Sequence, residues 1–239
     1  MTGIIGAMDE EVAALQEKMQ DVTVTEKAKM RFVKGSLAGH PVVVVRSGIG
    51  KVNAAVCTQI LADDFGVDRV INTGIAGSLD AGIDIGDIVL STDVLHHDMD
   101  ATGFGYAPGE VPQLGTAVFK ADPQLRAAAA QAVQEKAPGV QLFEGRIVSG
   151  DQFICEKDRK EAISRTFGGL CVEMEGAAIA QAAYVNGLPF VILRAISDQA
   201  DEATAVTYDV FEAQAAEHCA LVTERMAQLL TSHRGRFSV

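Results

Sequence analysis

Short apolar runs alternate along this chain with stretches whose apolar residues recur every three or four positions, a pattern that predicts strands followed by helices. Residues 2–5 form an apolar run ahead of Gly6, and from residue 9 to 19 Val12, Leu15 and Met19 share a helical face. Residues 41–46 read Pro-Val-Val-Val-Val-Arg, too β-branched for anything but a buried strand. That strand runs into Ser47-Gly-Ile-Gly50, and the helix that follows sets Val52, Val56 and Ile60 on one face. Residues 68–72 predict a strand entering a second glycine turn, Thr73-Gly-Ile-Ala-Gly77, and residues 88–91 a further short strand.

The pattern breaks at residues 98–116, where Gly and Pro surround Phe104 and Tyr106 and a long surface loop is expected. Asp122-Pro123 then opens a helix as cap and first residue, with Leu125, Ala129 and Val133 on one face. Strands are expected at 142–149, 170–173 and 190–195, and helices at 174–186 and about 208–230. The alternation predicts one α/β domain over residues 1–231, built on a largely parallel sheet, with a flexible basic tail at 232–239. In such folds ligands bind beyond the carboxyl ends of the strands, so the loops after strands are where chemistry is expected.

The 239 residues carry 20 Lys+Arg against 32 Asp+Glu, a formal net charge of −12. That surplus of acid gives no electrostatic footprint for nucleic acid or an anionic membrane, and a small molecule or another protein is the expected partner. Cys57, Cys155, Cys171 and Cys219 are far apart in sequence and show no metal-ligand spacing, so each is expected to sit as a small hydrophobe in a reducing compartment. There is no basic residue before Lys18 and no apolar stretch near the roughly 18 residues of a membrane span, which together point to the cytoplasm.

Among the 28 residues from Thr166 to Leu193 only Glu173 and Glu175 are charged, and their neighbours are apolar enough for deep burial. Carboxylates are rarely buried without a partner. Either one glutamate reaches the surface while the other joins a structural ion pair, or a buried carboxylate serves a ligand. Arg194 closes the next strand, Asp198 follows in a loop, and both could meet Glu175 at one cleft. At the N-terminus three acids open a helix, where its dipole favours them; Asp9 and Glu10 need no more than that, while Glu11 lies close enough to a strand-end turn to face the same cleft. Neither glycine turn matches a dinucleotide or P-loop pattern. His96-His97-Asp98 lacks metal-site spacing, and no metal is expected there.

GIIGAMDEEV, SGIGKVNAA, NTGIAGSL, GDIVLS, IVSGDQFI, CVEMEGAAIA and RAISDQAD together resemble the methylthioadenosine/S-adenosylhomocysteine nucleosidases, in order and spacing and over nearly the whole chain. VEMEGAAIA and RAISD are shared with the wider purine nucleoside phosphorylase-like superfamily, whereas GAMDEE marks the nucleosidase branch. The resemblance implies a central twisted mixed sheet flanked by helices, a homodimer, and hydrolysis of the N-glycosidic bond of adenosine thioethers with no metal or organic cofactor. It implies that Glu11 activates water, that Asp198 protonates the departing adenine, and that Glu175 holds the ribose hydroxyls with Met174 packed on the sugar. Glu173 shares the segment as a substrate-binding position. Ser197 and Arg194 would support the acid and the ribose carboxylate. Phe153 would stack on adenine while the backbone of Ile154 reads its edge, and Met8, Ile49 and Tyr208 would line the sugar and the 5′ channel. The loop bearing Phe104, Tyr106 and Pro112 would reach across the dimer to close the neighbour's channel. One position departs from the pattern: Ile75 stands where family members carry a serine, and its side chain cannot hydrogen-bond.

The chemistry of the residues agrees with this resemblance. Breaking an N-glycosidic bond passes through an oxocarbenium-like sugar and calls for an acid at the leaving group and a base for water. A phosphorylase would need cationic ligands for phosphate, usually arginines, and neither GAMDEE nor NTGIAGS has one. A sister nucleosidase for aminodeoxyfutalosine would share the catalytic residues. A non-catalytic nucleoside-binding protein would have no need of Glu11, Glu175 and Asp198 together.

Overall fold

A computed structural model describes residues 1–199 and 204–233, with the side chains at 204–210, 212–214 and 231–233 outside that description. The chain runs β1 (Thr2–Gly6), α1 (Asp9–Glu17), β2 (Gln20–Lys27), β3 (Met30–Leu37), β4 (His40–Arg46), α2 (Lys51–Phe65), β5 (Arg69–Ser78) and β6 (Ile88–His96). It continues through β7 (Phe119–Lys120), α3 (Pro123–Lys136), β8 (Leu142–Ser149), α4 (Lys157–Phe167), β9 (Cys171–Glu173), α5 (Gly176–Val185), β10 (Phe190–Asp198) and α6 (Thr204–His233). The expected tail from residue 232 begins inside α6, and residues 234–239 lie outside the described residues.

All ten strands join one mixed sheet, in the order β10-β6-β8-β9-β5-β1-β4-β3-β2 with β7 on β6. Because β10 also pairs β5, five of these strands close on themselves and β1, β4, β3 and β2 extend from the ring. The pairings of β1 with β4 and β5, and of β5 with β10, are parallel. Val42–Val45 of β4 are wholly buried, as expected where both faces of a strand are covered. Helix α3 starts where the sequence marks it, the Asp122 carboxylate accepting the N–H groups of Gln124 and Leu125, both at 2.9 Å.

The structure departs from the sequence reading in several places. Thr73–Gly77 is no turn but the upper half of β5, which runs on to Ser78 because β10 and β9 pair with it there. The strands β6 and β10 likewise outrun their apolar cores. On α2 the core face carries Ala54, Cys57, Ile60 and Leu61, while Val52 is 74% exposed and Val56 40%. Cys155 is exposed rather than packed as a hydrophobe. The strand β2 has no buried face to anchor a prediction: all eight residues are exposed, Val22 and Val24 included, and among the described residues it pairs with β3 alone, while α4 buries one residue, Ile163. No helix of the described residues is long and apolar enough to cross a membrane.

Candidate active site

At the carboxyl ends of β1, β5, β9 and β10 lies a cavity of about 120 Å³ whose lining includes Glu11, Glu173, Glu175 and Asp198. Four carboxylates meet in one place, and each is held differently.

Glu11 stands in the first turn of α1, and its side chain folds back beneath the end of β1. Its Oε2 accepts the N–H groups of Ala7 at 2.6 Å and Met8 at 3.1 Å, and its Oε1 accepts the N–H of Ile75 at 3.1 Å. Burial pushes its pKa above the ordinary carboxylate range, against the Arg194 charge and these three amides. Gly74 makes the arrangement possible, because a Cβ there would overlap the Glu11 carboxylate. Ile75 lines the cavity beside it, so the position that departs from the family pattern meets Glu11 through its backbone.

Glu173 and Arg194 form a buried ion pair, Nη2 to Oε2 at 2.5 Å. The same Glu173 oxygen accepts the N–H groups of Glu175 at 3.0 Å and Gly176 at 2.7 Å, capping α5, while Ser149 Oγ donates to the other oxygen. Although burial opposes its charge, the guanidinium and these donors hold Glu173 below its ordinary pKa. Arg194 also donates to Asn72 Oδ1 at 2.6 Å. Burial works against its charge as well, but the three surrounding glutamates keep it firmly protonated.

Glu175 is also buried and has no such cation bonded to it. Its Oε1 accepts the N–H of Gly50 at 2.8 Å, at a turn where Gly50 has φ +96° and glycine is the suited residue. Burial first, then the neighbouring charge of Glu173, pushes its pKa up to about 8. Asp198 closes β10, its Oδ2 accepting the Ser197 hydroxyl at 2.9 Å. Consecutive strand residues ordinarily face opposite ways, yet both line the cavity. A register shift between Ile196 and Asp198 against β5 accounts for this, the extra residue re-aiming the strand end.

Of the positions singled out in the sequence, Met8, Ile49, Phe153, Ile154, Met174 and Ser197 line the cavity with the four acids and Ile75. Phe153 and Ile49 stand at its mouth, each 54% exposed. Arg194 does not line it; the guanidinium lies behind, bonded to Glu173 rather than Glu175. Phe104, Tyr106 and Pro112 are absent from this chain's cavity, and Phe104 is 90% exposed. The side chain of Tyr208 lies outside the described residues. Sequence reasoning missed Asn72, Ser149 and Gln152, and also Gly50 and Gly74 as direct partners of the acids. Glycine-rich strand ends were the available signal, but which acid each would meet depends on the fold. Among the described residues no group of three or more His, Cys, Asp or Glu could hold a metal ion.

The phosphorylase superfamily model matches residues 2–232. A 5′-methylthioadenosine/S-adenosylhomocysteine nucleosidase from Bacillus cytotoxicus is 44% identical over 216 residues, covering 90% of this chain and 93% of its own. The crystal structure of the Neisseria meningitidis enzyme of the same name, in complex with methylthio-immucillin-A, superposes with a TM-score of 0.92 at 42% identity, over 95% of this chain and 98% of that one. A futalosine hydrolase from Helicobacter pylori superposes with a TM-score of 0.90 at 33% identity, over 95% and 97% of the two chains.

Proposed function

The chain belongs to the 5′-methylthioadenosine/S-adenosylhomocysteine nucleosidase family of the phosphorylase superfamily, and from that membership and the site's geometry we propose that it hydrolyses the N-glycosidic bond of adenosine thioethers, releasing adenine and the thioribose. The observation that carries the hydrolytic reading is the charge of the cavity: its described lining holds four carboxylates and neither lysine nor arginine. A phosphate nucleophile would face repulsion there with no cation to bind it. Water meets no such barrier, and the carboxylates favour the positive charge that develops on the sugar.

In this reading Glu11 takes a proton from the attacking water. A pKa raised by burial makes it a stronger base than an ordinary glutamate. Asp198, oriented by Ser197, delivers a proton to adenine as the bond breaks, because adenine leaves poorly as an anion. Glu175 accepts the ribose hydroxyls and Met174 packs on the sugar. Phe153 stacks on the base and the backbone of Ile154 reads its edge. Met8, Ile49 and Tyr208 flank the 5′ substituent. Arg194 acts through Glu173, holding the cap of α5 from which Glu175 projects. The active form is a cytoplasmic homodimer in which the loop carrying Phe104, Tyr106 and Pro112 closes the partner's channel. The exposed Phe104 and Val52 favour an assembly that covers them.

The test is adenine release from methylthioadenosine, S-adenosylhomocysteine and aminodeoxyfutalosine, with and without phosphate. Cleavage of the two thioethers to free sugar at a rate indifferent to phosphate is expected. A ribose-1-phosphate-type product would make the chain a phosphorylase, and cleavage of aminodeoxyfutalosine alone would make it the sister hydrolase.

A further inference from the structure

Between the two glycine-bearing loops that flank the cavity lies a closed ring of interactions. Asp98, at the start of the long loop after β6, is its hub. Its Oδ1 accepts Lys51 Nζ at 2.5 Å, and its Oδ2 accepts the backbone N–H of Asp151 at 2.9 Å. The Asp151 carboxylate in turn accepts the backbone N–H of Lys51 at 2.8 Å, which closes the circuit. Lys51 and Asp98 keep only 19% and 16% of their side-chain surface exposed, so solvent screens the pair weakly. Its positive partner and the Asp151 amide hold Asp98 below the ordinary carboxylate range, in spite of partial burial.

The ring joins two peptides with different duties. Lys51 follows Gly50, whose N–H holds Glu175 at 2.8 Å. Asp151 precedes Gln152, Phe153 and Ile154, all in the cavity wall. A shift of either peptide would therefore move the ribose carboxylate's backbone partner relative to the wall assigned to the purine. The packing leaves little slack at the second peptide, because a Cβ at Gly150 would overlap the His97 ring. We propose that Asp98 is a positioning residue that locks the purine-side wall to the ribose-side turn, so that base and sugar are bound in one register. Asp98 does not itself touch the cavity, and the proposal rests on the nucleosidase reading above.

The experiment compares wild type with Asp98→Asn, Asp151→Ala and the double variant, measuring KM and kcat for methylthioadenosine, adenine affinity by calorimetry, and the urea midpoint of each protein. Opening the ring at either bond should raise KM and weaken adenine binding about tenfold, the usual effect of losing one charge-assisted hydrogen bond. kcat should fall much less, since the acid and base are untouched. Either cut opens the same ring, so the double variant should be no worse than the poorer single one. Asp98→Glu, which keeps the charge, should regain part of the adenine affinity. KM and adenine affinity unchanged in Asp98→Asn, or single effects that multiply in the double variant, would overturn the proposal. So would a loss that simply follows the urea midpoint. A wild type that binds adenine but releases none from methylthioadenosine would count against the nucleosidase reading alone, because the calorimetric comparison needs no turnover.

Discussion

The two ends of the cavity treat a buried glutamate in opposite ways. At the β1–α1 turn, Glu11 is held by three backbone amides, and its pKa rises above the ordinary range. At the β9–α5 junction, Glu173 bonds the guanidinium of Arg194 and is held ionised. Amides position a carboxylate without cancelling its charge, so its proton stays negotiable; a buried cation bonded to it removes that freedom. Chemistry is therefore expected from the first kind of site and scaffolding from the second. Glu175 stands two residues from Glu173 and is of the first kind, with one amide, no bonded cation and a like charge beside it.

The sharpest way to break this comparison is to remove the charge at each end. Glu11→Gln keeps its shape but cannot accept a proton, and adenine release should fall about 10²–10⁴-fold, while the backbone N–H left facing the new amide NH2 should lower the unfolding free energy by only about 1–3 kcal/mol. Glu173→Gln should do the reverse in kind, since it strands the buried Arg194. Its unfolding free energy should drop by about 3–5 kcal/mol in urea titrations, with a smaller loss of activity in the folded protein than Glu11→Gln shows, passed on through the α5 cap that positions Glu175. Equal destabilisation by the two variants would erase the distinction.

Glu175→Gln sharpens it further. Above pH 8, where Glu175 is ionised, its charge-assisted contact to a ribose hydroxyl is worth about 1.5–3 kcal/mol, so kcat/KM should fall there by the corresponding factor, much less for the 2′-deoxy substrate, and the loss should shrink as the pH falls below 8. Stability carries the second signature. A carboxyl at about 8 in the fold and 4.5 when free holds a proton in the native state that the unfolded chain has already released. Its contribution is complete below pH 4.5 and is lost as the pH rises through 8. Urea titrations at intervals across that window should show the wild type losing stability relative to Glu175→Gln as the pH rises; parallel curves would show that the proton is absent.

The smallest effect is expected at Ile75. Its contact with Glu11 is a backbone N–H that any side chain preserves. Ile75→Ser, which restores the family's usual residue, should change kcat/KM by less than about tenfold, the reach of one neutral hydrogen bond. A larger gain in steady-state assays would mean that the hydroxyl of the usual serine does more than the amide.

What the sequence determined by itself was local in origin. The β-branched run at 41–46, the Asp122-Pro123 cap and the helical spacing of Leu125, Ala129 and Val133 specify their elements through periodicity and backbone preference, which neighbours in the chain suffice to set. The two charges in an otherwise apolar stretch singled out Glu173 and Glu175, but left open whether one of them reaches the surface; both are buried. Sequence motifs also named the acids that share the cavity, because glycine-rich strand ends and acidic helix starts leave readable traces. Tertiary structure alone decided which glutamate Arg194 would take, since Ser149 and Arg194 reach Glu173 from separate strands and Asn72, on a third, accepts from the same guanidinium. It decided that Thr73–Gly77 would be strand, because pairing with β10 and β9 supplies bonds that local preference does not foresee. It also set the proton affinities of Glu11, Glu173 and Glu175, for a side chain's pKa depends on the water it loses and the charges packed against it, and neither exists until distant segments meet.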